Sequence, residues 1–408
     1  SNDMNKKNIV LILAAAIISL PFNLFGATVT VKGIHYDISE TTDSVNVVGR
    51  QSHSRRVVIP KTIRSNGKKY TVSKISDGAF ENDINLYRLK LGKNIKSIGY
   101  RAFYGCKNLR RIRFNDSLSY LSYGVFEGTE WIERQKPGVV YCGKVAYTYK
   151  SYEVEPSSVS IRPGTVSIAV GCFIPAKELK NVELPESLVE ICAQAFEETN
   201  IESIIVPKGV ISIGELAFNY CRHLKKVIIQ GCRSIGMSAF YCCESLQDIS
   251  LPDNLEEIGQ LAFRDCIKLK TIEIPAGVNI IRGSSFFNCR SLVEVKLNDG
   301  LEEIDVAAFW DCESLESITI PATVNRVAMT SFNYPCTLKT VVIHSVIPPA
   351  LSKDAFPNSN ESIFSQIIKT YWSCSEGRIL YVPAGSIDKY RNAEGWNHFD
   401  TIRDLSEQ

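Results

Sequence analysis

Six cysteines, Cys106, Cys221, Cys243, Cys266, Cys289 and Cys312, each stand three residues after a phenylalanine, and Cys336 stands four after one. Thiols at one fixed offset admit four kinds of chemistry. A nucleophilic thiol needs a base beside it. His223 lies two residues from Cys221, and that spacing in an extended loop does not make a dyad. Zinc needs paired ligands such as Cys-x-x-Cys with histidine partners, and the chain has none. Disulfides are open to an exported protein. Stacked rungs would bring the Cα atoms to about 5 Å, within reach of a bridge. Parallel side chains on neighbouring rungs rarely reach the dihedral a bridge requires. The fourth role is that of a small buried hydrophobe. We read the recurring thiol as one core position per copy, with bridges between rungs as the alternative. Cys232, three residues before Ile235, reads as core as well. Of Cys242 and Cys243, only one can face inward in a regular coil.

The elements that must position these thiols are copies of one unit. "EEIGQLAFRDCIKLKTIEIP" (Glu256 to Pro275) returns as "EEIDVAAFWDCESLESITIP" (Glu302 to Pro321). Twelve phenylalanines mark the period: Phe80, Phe103, Phe126, Phe173, Phe196, Phe218, Phe240, Phe263, Phe286, Phe309, Phe332 and Phe356. Neighbours are 22 to 24 residues apart, apart from one gap of 47. Each anchor is followed by Leu-x-x-Ile-x-Ile, as at Leu269, Ile272 and Ile274. The last two apolar positions alternate, which predicts a short strand. The proline that often follows, as at Pro275 and Pro321, stops that strand because it has no amide hydrogen. "AF" after Ile-Gly predicts a tight turn or a single helical turn with Phe pointing inward. One such unit cannot bury its own apolar face, but a stack of them buries a continuous core.

The "IGxxAFxxCxxLxxIxIP" units at Ile98–Phe114, Ile258–Pro275 and Ile304–Pro321 resemble the bacterial BspA-like leucine-rich repeat proteins. The resemblance runs from about Tyr70 to Ile343. It continues through "LYVPAGSIDKYRNAEGWNHFDTI" (Leu380 to Ile402), which is similar to the closing segment of many such proteins. It implies an α/β solenoid, mostly β: a right-handed leucine-rich repeat solenoid of about 12 coils with non-repeat caps at both ends. It also implies adhesion to host or matrix proteins or to other cells. One departure is plain: the asparagine that usually follows the strand is replaced by proline.

Four regions follow. Ser1–Asp3 read as a cloning remnant, and Met4–Ala27 as a secretory signal, with Lys6 and Lys7 ahead of the apolar run Ile9–Leu20. Residues 28–69 read as an N-terminal cap, 70–344 as the solenoid, and 345–408 as the last coil and C-terminal cap. No later stretch is long and apolar enough to span a bilayer. The gap of 47 residues holds an insertion at about 130–155. Val139–Tyr141 and Val145–Tyr149 around Cys142-Gly143-Lys144 predict a β-hairpin. Its aromatics Trp131, Tyr141, Tyr147 and Tyr149 are candidates for an exposed contact surface. The competing reading is a structural flap over a coil.

Ligand chemistry on the coils themselves falls to the x positions of the triplets, expected on the concave side. The early copies place Tyr87, Arg88 and Lys90, then Arg110, Arg111 and Arg113. Later copies mix signs. Clustered Arg and Lys on adjacent rungs would attract a carboxylate, sulfate or phosphate polymer. The net charge of +2 gives no global field for nucleic acid or membrane. Five histidines, no G-x-S-x-G, no carboxylate pair in a set frame and no metal signature argue against an enzyme, a cofactor or a metal. The sequence therefore predicts an exported, non-catalytic binding protein, secreted or at a bacterial cell surface. Its partner would be a host or matrix protein or an anionic or neutral glycan. The alternative is a glycan-capturing accessory module in the periplasm or on the surface.

Overall fold

The structure is a computed structural model that describes residues 27–38, 42–328, 330–332, 338–352 and 377–408. The expected signal segment as far as Gly26, together with Phe356, Cys336 and Cys374, lies outside the described residues, and Ala27 opens the first strand, Ala27–Val31.

Each coil carries two strands. The first comes from the apolar triplet. In Thr271–Glu273, Ile272 points inward while its neighbours face solvent. The second has only two residues in most coils, as in Glu257–Ile258, where the isoleucine is buried. Both stack in parallel register on their equivalents. Ser203, Lys226 and Asp248 form one column, and Ser212, Ser234 and Glu257 another. The chain is thus a mostly-β solenoid of about 14 turns, two more than the anchors suggested. The ends join the ladders, and so does the insertion described below. Arg56–Val58 pairs in parallel with Arg88–Lys90. At the other end, Ile379–Val382 pairs with Thr340–Ile343 and with Thr401–Asp404. The closing segment then folds over the last coil. Trp396 Nε1 donates to Pro349 O at 2.9 Å, and Tyr390 Oη donates to Ser345 O at 2.8 Å.

The "AF" segment is a pair of tight turns, and the helical alternative is not realised. Leu261 and Asp265, two residues either side of Phe263, both take left-handed backbone with φ 61° and 62°. Between these turns the phenylalanine ring enters the core and stacks on its neighbours. Centroids are 5.3 Å apart for Phe240–Phe263 and 5.4 Å for Phe263–Phe286, with nearly parallel planes. Such pairs add about 0.5–1.5 kcal/mol beyond area burial. The glycine of "IG" permits the close approach of rungs at this corner. A Cβ on Gly236 would sit 2.6 Å from Glu215 N.

The core forms two clusters that meet at the insertion. Gly138–Cys142 and Val145–Lys150 form the expected antiparallel hairpin. Val145 and Ala146 also pair with Ser167 and Ile168, so the hairpin is built into the second ladder. Val140 and Cys142 belong to one cluster, while Val139 and Tyr141 pack on the other. The hairpin therefore stands between two coils as a wall with both faces covered.

Candidate binding face

All eleven cysteines among the described residues are free and buried, so the bridge alternative is not realised at any of them. The recurring thiol donates to the carbonyl of the phenylalanine one coil earlier. Cys106 reaches Phe80 O at 2.9 Å, Cys221 reaches Phe196 O at 3.0 Å, and Cys266 reaches Phe240 O at 3.2 Å. Cys243, Cys289 and Cys312 repeat the contact at 3.2–3.3 Å. Burial pushes the thiols up, to about 12 at Cys106 and about 11 at Cys232. An unperturbed thiol titrates near 8.5. The thiols are thus neutral hydrogen-bond donors that tie coil to coil, and the left-handed Cys242 lies at the edge of the core. Among the described residues no group of three or more His, Cys, Asp or Glu side chains is placed to hold a metal ion.

The basic rungs lie on the outward side of one three-stranded parallel sheet. Its strands are Arg56–Val58, Arg88–Lys90 and Arg111–Arg113. Alternation turns Val57 and Leu89 into the core and Ile112 towards it. The flanking residues must then face out. Register aligns Arg56 with Arg88 and Arg111 in one column, and Lys90 with Arg113 in the next. Rungs are about 4.8 Å apart, so like charges are immediate neighbours. Among the described residues none of these five cations makes an ion pair, whereas Arg110 pairs with Glu130 at 3.4 Å. Tyr87 supplies a half-buried ring beside the columns. The Arg55 guanidinium lies 4.9 Å from its centroid and that of Arg88 5.8 Å.

Later rungs differ. Lys225 meets Glu202 of the preceding coil at 3.0 Å, and Lys339 meets Glu316 at 3.5 Å. Lys226 stands in register beside Asp248, and Glu273 beside Lys296.

The aromatic surface expected at the hairpin does not form as a unit. Tyr147 is 4% exposed, and its hydroxyl accepts from Phe126 N at 2.9 Å. Tyr149 is 2% exposed and donates to Glu155 at 2.6 Å. Their rings carry the phenylalanine stack across the insertion: Tyr147 lies 5.6 Å from Phe126 and Tyr149 5.9 Å from Phe173. Trp131 packs edge-on against Phe114 and Phe126. Tyr141, half-buried, accepts from Arg162 N, and the Arg162 guanidinium lies 4.1 Å over its ring.

Sequence reasoning missed three outward residues. Arg56 completes the first basic column from within the cap. Tyr100 and Tyr123, 47% and 45% exposed, follow the second ladder on adjacent coils. The signal for this pair was an aromatic three residues before the anchor in two successive copies, "YRAF" and "YGVF".

The model of the BspA type leucine rich repeat region matches residues 73–152, 145–240 and 233–362, with six copies. No curated protein matches the chain. Solved structures similar to it include a leucine-rich repeat protein from Bacteroides ovatus ATCC 8483. That protein is 21% identical, with 77% of this chain and 99% of that one covered and a TM-score of 0.39. A leucine rich cell surface protein from Faecalibacterium prausnitzii A2-165 is 22% identical, with 81% and 96% covered and a TM-score of 0.35. The pneumococcal vaccine antigen PcpA is 19% identical, with 93% and 98% covered and a TM-score of 0.40. Among the described residues no helix is long and apolar enough to cross a membrane.

Proposed function

We propose that this chain, which belongs to the BspA-type leucine-rich repeat family, is an exported, non-catalytic binding protein that docks an anionic partner on its basic rungs. One observation carries the reading. Arg56, Arg88 and Arg111 are stacked in register, with Lys90 and Arg113 alongside, and among the described residues no carboxylate pairs with any of them. Like charges directly opposite across a ladder destabilise a sheet. A sheet selected for stability alone would interleave carboxylates, as the later rungs do. An external anion supplies the missing countercharge. Guanidinium groups favour carboxylate, sulfate and phosphate through paired hydrogen bonds. The partner class is therefore an acidic surface of a host or matrix protein, or an acidic glycan. The recurring thiols are buried and spent as donors to the preceding coil, which suits a structural and not a nucleophilic role for them.

The test is binding of the full chain to matrix proteins and to acidic and neutral glycans, before and after Arg88→Ala, Arg111→Ala and Arg113→Ala. Loss of acidic-partner binding supports the reading. Silence across the acidic targets removes it. A second reading, capture of a neutral glycan, has its own support in the exposed pair Tyr100 and Tyr123. Planar aromatic faces suit sugar rings, and Tyr104 lies close by with the Arg101 guanidinium 3.7 Å over its ring. Neutral-glycan binding abolished by Tyr100→Ala and Tyr123→Ala, and unchanged by the arginine substitutions, would favour it over the first.

A further inference from the structure

The insertion breaks the first ladder, and the two edges it leaves are treated differently. The Arg111–Arg113 edge is followed by the turn of helix Glu130–Glu133, where Trp131 N donates to Leu109 O at 2.7 Å. The edge on the far side belongs to Ser158–Ser160, the first strand of a five-stranded parallel sheet. In its pairing with Asn181–Glu183, Asn181 N donates to Ser157 O and Ile161 N to Glu183 O. That register assigns residues 157, 159 and 161 to the sheet. The amides and carbonyls of Ser158 and Ser160 point the other way. The next outward amide in the series, Arg162 N, is capped by the Tyr141 hydroxyl at 2.9 Å. No protein partner meets the backbone of Ser158 or Ser160 on that side among the described residues.

This edge opens into a recess of about 570 Å³ between the hairpin and the segment that leads into the strand. The walls are Val139 and Tyr141 on one side and Tyr152, Val154 and Pro156 on the other. Ligand sites commonly measure roughly 300–1,000 Å³. Val154 is 86% exposed beside it, an apolar side chain that no described residue covers. A row of alternating backbone donors and acceptors next to apolar walls is the recognition chemistry of strand addition.

We propose that the Ser158–Ser160 edge accepts an extended peptide segment of another protein as an added strand. The peptide's carbonyls accept from Ser158 N and Ser160 N, and its amides donate to their carbonyls. Its alternate side chains fill the recess against Tyr141 and Val154. A second copy of this chain is a poorer occupant. Two such edges would have to approach past both hairpins and both lead-in segments, which wall the recess. The site is separate from the basic rungs, and its failure leaves that reading untouched.

The probe is a displayed library of random ten-residue peptides, screened against the full chain. Each binder is then made with alternate backbone amides N-methylated. In the free protein the Ser158 and Ser160 amides should exchange rapidly with solvent while Val159 is protected. A bound peptide should protect both. Ser160→Pro removes an amide that the sheet does not use, so the strand persists while binding falls at least tenfold. Ser160→Ala keeps the amide and should bind within about twofold, and the N-methylated peptide should lose at least tenfold. Four outcomes overturn the proposal. They are slow exchange of these amides in the free protein, their concentration-dependent protection without peptide, binders indifferent to both backbone blocks, and a library that yields no binder. The exchange and N-methyl arms hold even if the proline variant does not fold.

Discussion

Ahead of the hairpin, Arg56, Arg88 and Arg111 follow one another on three rungs with no acid between them. Behind it, Glu202 faces Lys225, and Lys226 stands beside Asp248. The buried half of the coil is the same in both regions. Phe103 stacks between Phe80 and Phe126 at 5.0 and 5.5 Å, as Phe263 does between its own neighbours. Cys106 makes the same bond to the preceding coil as Cys266. The fold thus constrains the inward positions and leaves the outward ones free. Where the outward positions obey pairing, they serve the sheet. Where they break it, we propose that they serve a partner.

The largest test of this comparison is to delete the shared core. Phe103→Ala and Phe263→Ala should each cost about 3–5 kcal/mol, read as a shift in the denaturation midpoint. Equal losses fit one coil in two regions, and a small loss at Phe103 alone would mean that the basic rungs rest on a different core. Next in size is Tyr147→Phe. It leaves Phe126 N without its acceptor inside the core, at a cost of about 1–3 kcal/mol. A neutral result would mean that the hairpin does not tie the two clusters together.

The thiols give a pH test. Cys106 and Cys232 are raised by burial to about 12 and about 11. In the unfolded chain they ionise near 8.5. The unfolded state therefore holds fewer protons above that pH, and the stability these thiols contribute is present below it. It declines as pH rises from about 8.5 towards 11–12. Denaturation midpoints at pH 7, 9 and 10 should fall in that order, with no native-state thiol modification at pH 8. Cys242, at the edge of the core, should be the first to react as pH rises. The smallest effect is on the basic columns themselves. Arg88→Gln should raise stability by about 0.2–1 kcal/mol at low salt, because it removes like-charge contacts. The gain should vanish near 1 M salt, where the screening length is about 3 Å. The same substitution at Lys225, which is paired, should not stabilise.

Much of this was legible in the sequence. The phenylalanine period gave the coil, the triplet gave the first ladder, and the constant offset of the cysteines gave their burial. The second ladder was not legible, because a pair such as Glu257–Ile258 is too short to show alternation. Tyr147 and Tyr149 of the hairpin were misread for a related reason. Alternation identifies two faces but does not say that both are covered, and here a coil packs on each. Arg56 was missed because pairing between a cap and the first coil is set in space, with no repeat to mark its register. The turn around "AF" needed left-handed residues that the later coils fill with Leu216, Leu261 and Ala307 rather than glycine, which hides the usual turn signal.

The most direct test of the central claim is the affinity of the full chain for a defined polyanion, dextran sulfate, at about 0.1 M and about 1 M salt. The wild type would be compared with two variants: Arg88→Ala with Arg111→Ala and Arg113→Ala, and Lys225→Ala with Lys226→Ala. The account predicts binding at low salt that the arginine substitutions remove, that the lysine substitutions leave within about twofold, and that high salt abolishes. Binding that survives loss of the three arginines, or that the lysine substitutions weaken equally, would contradict it.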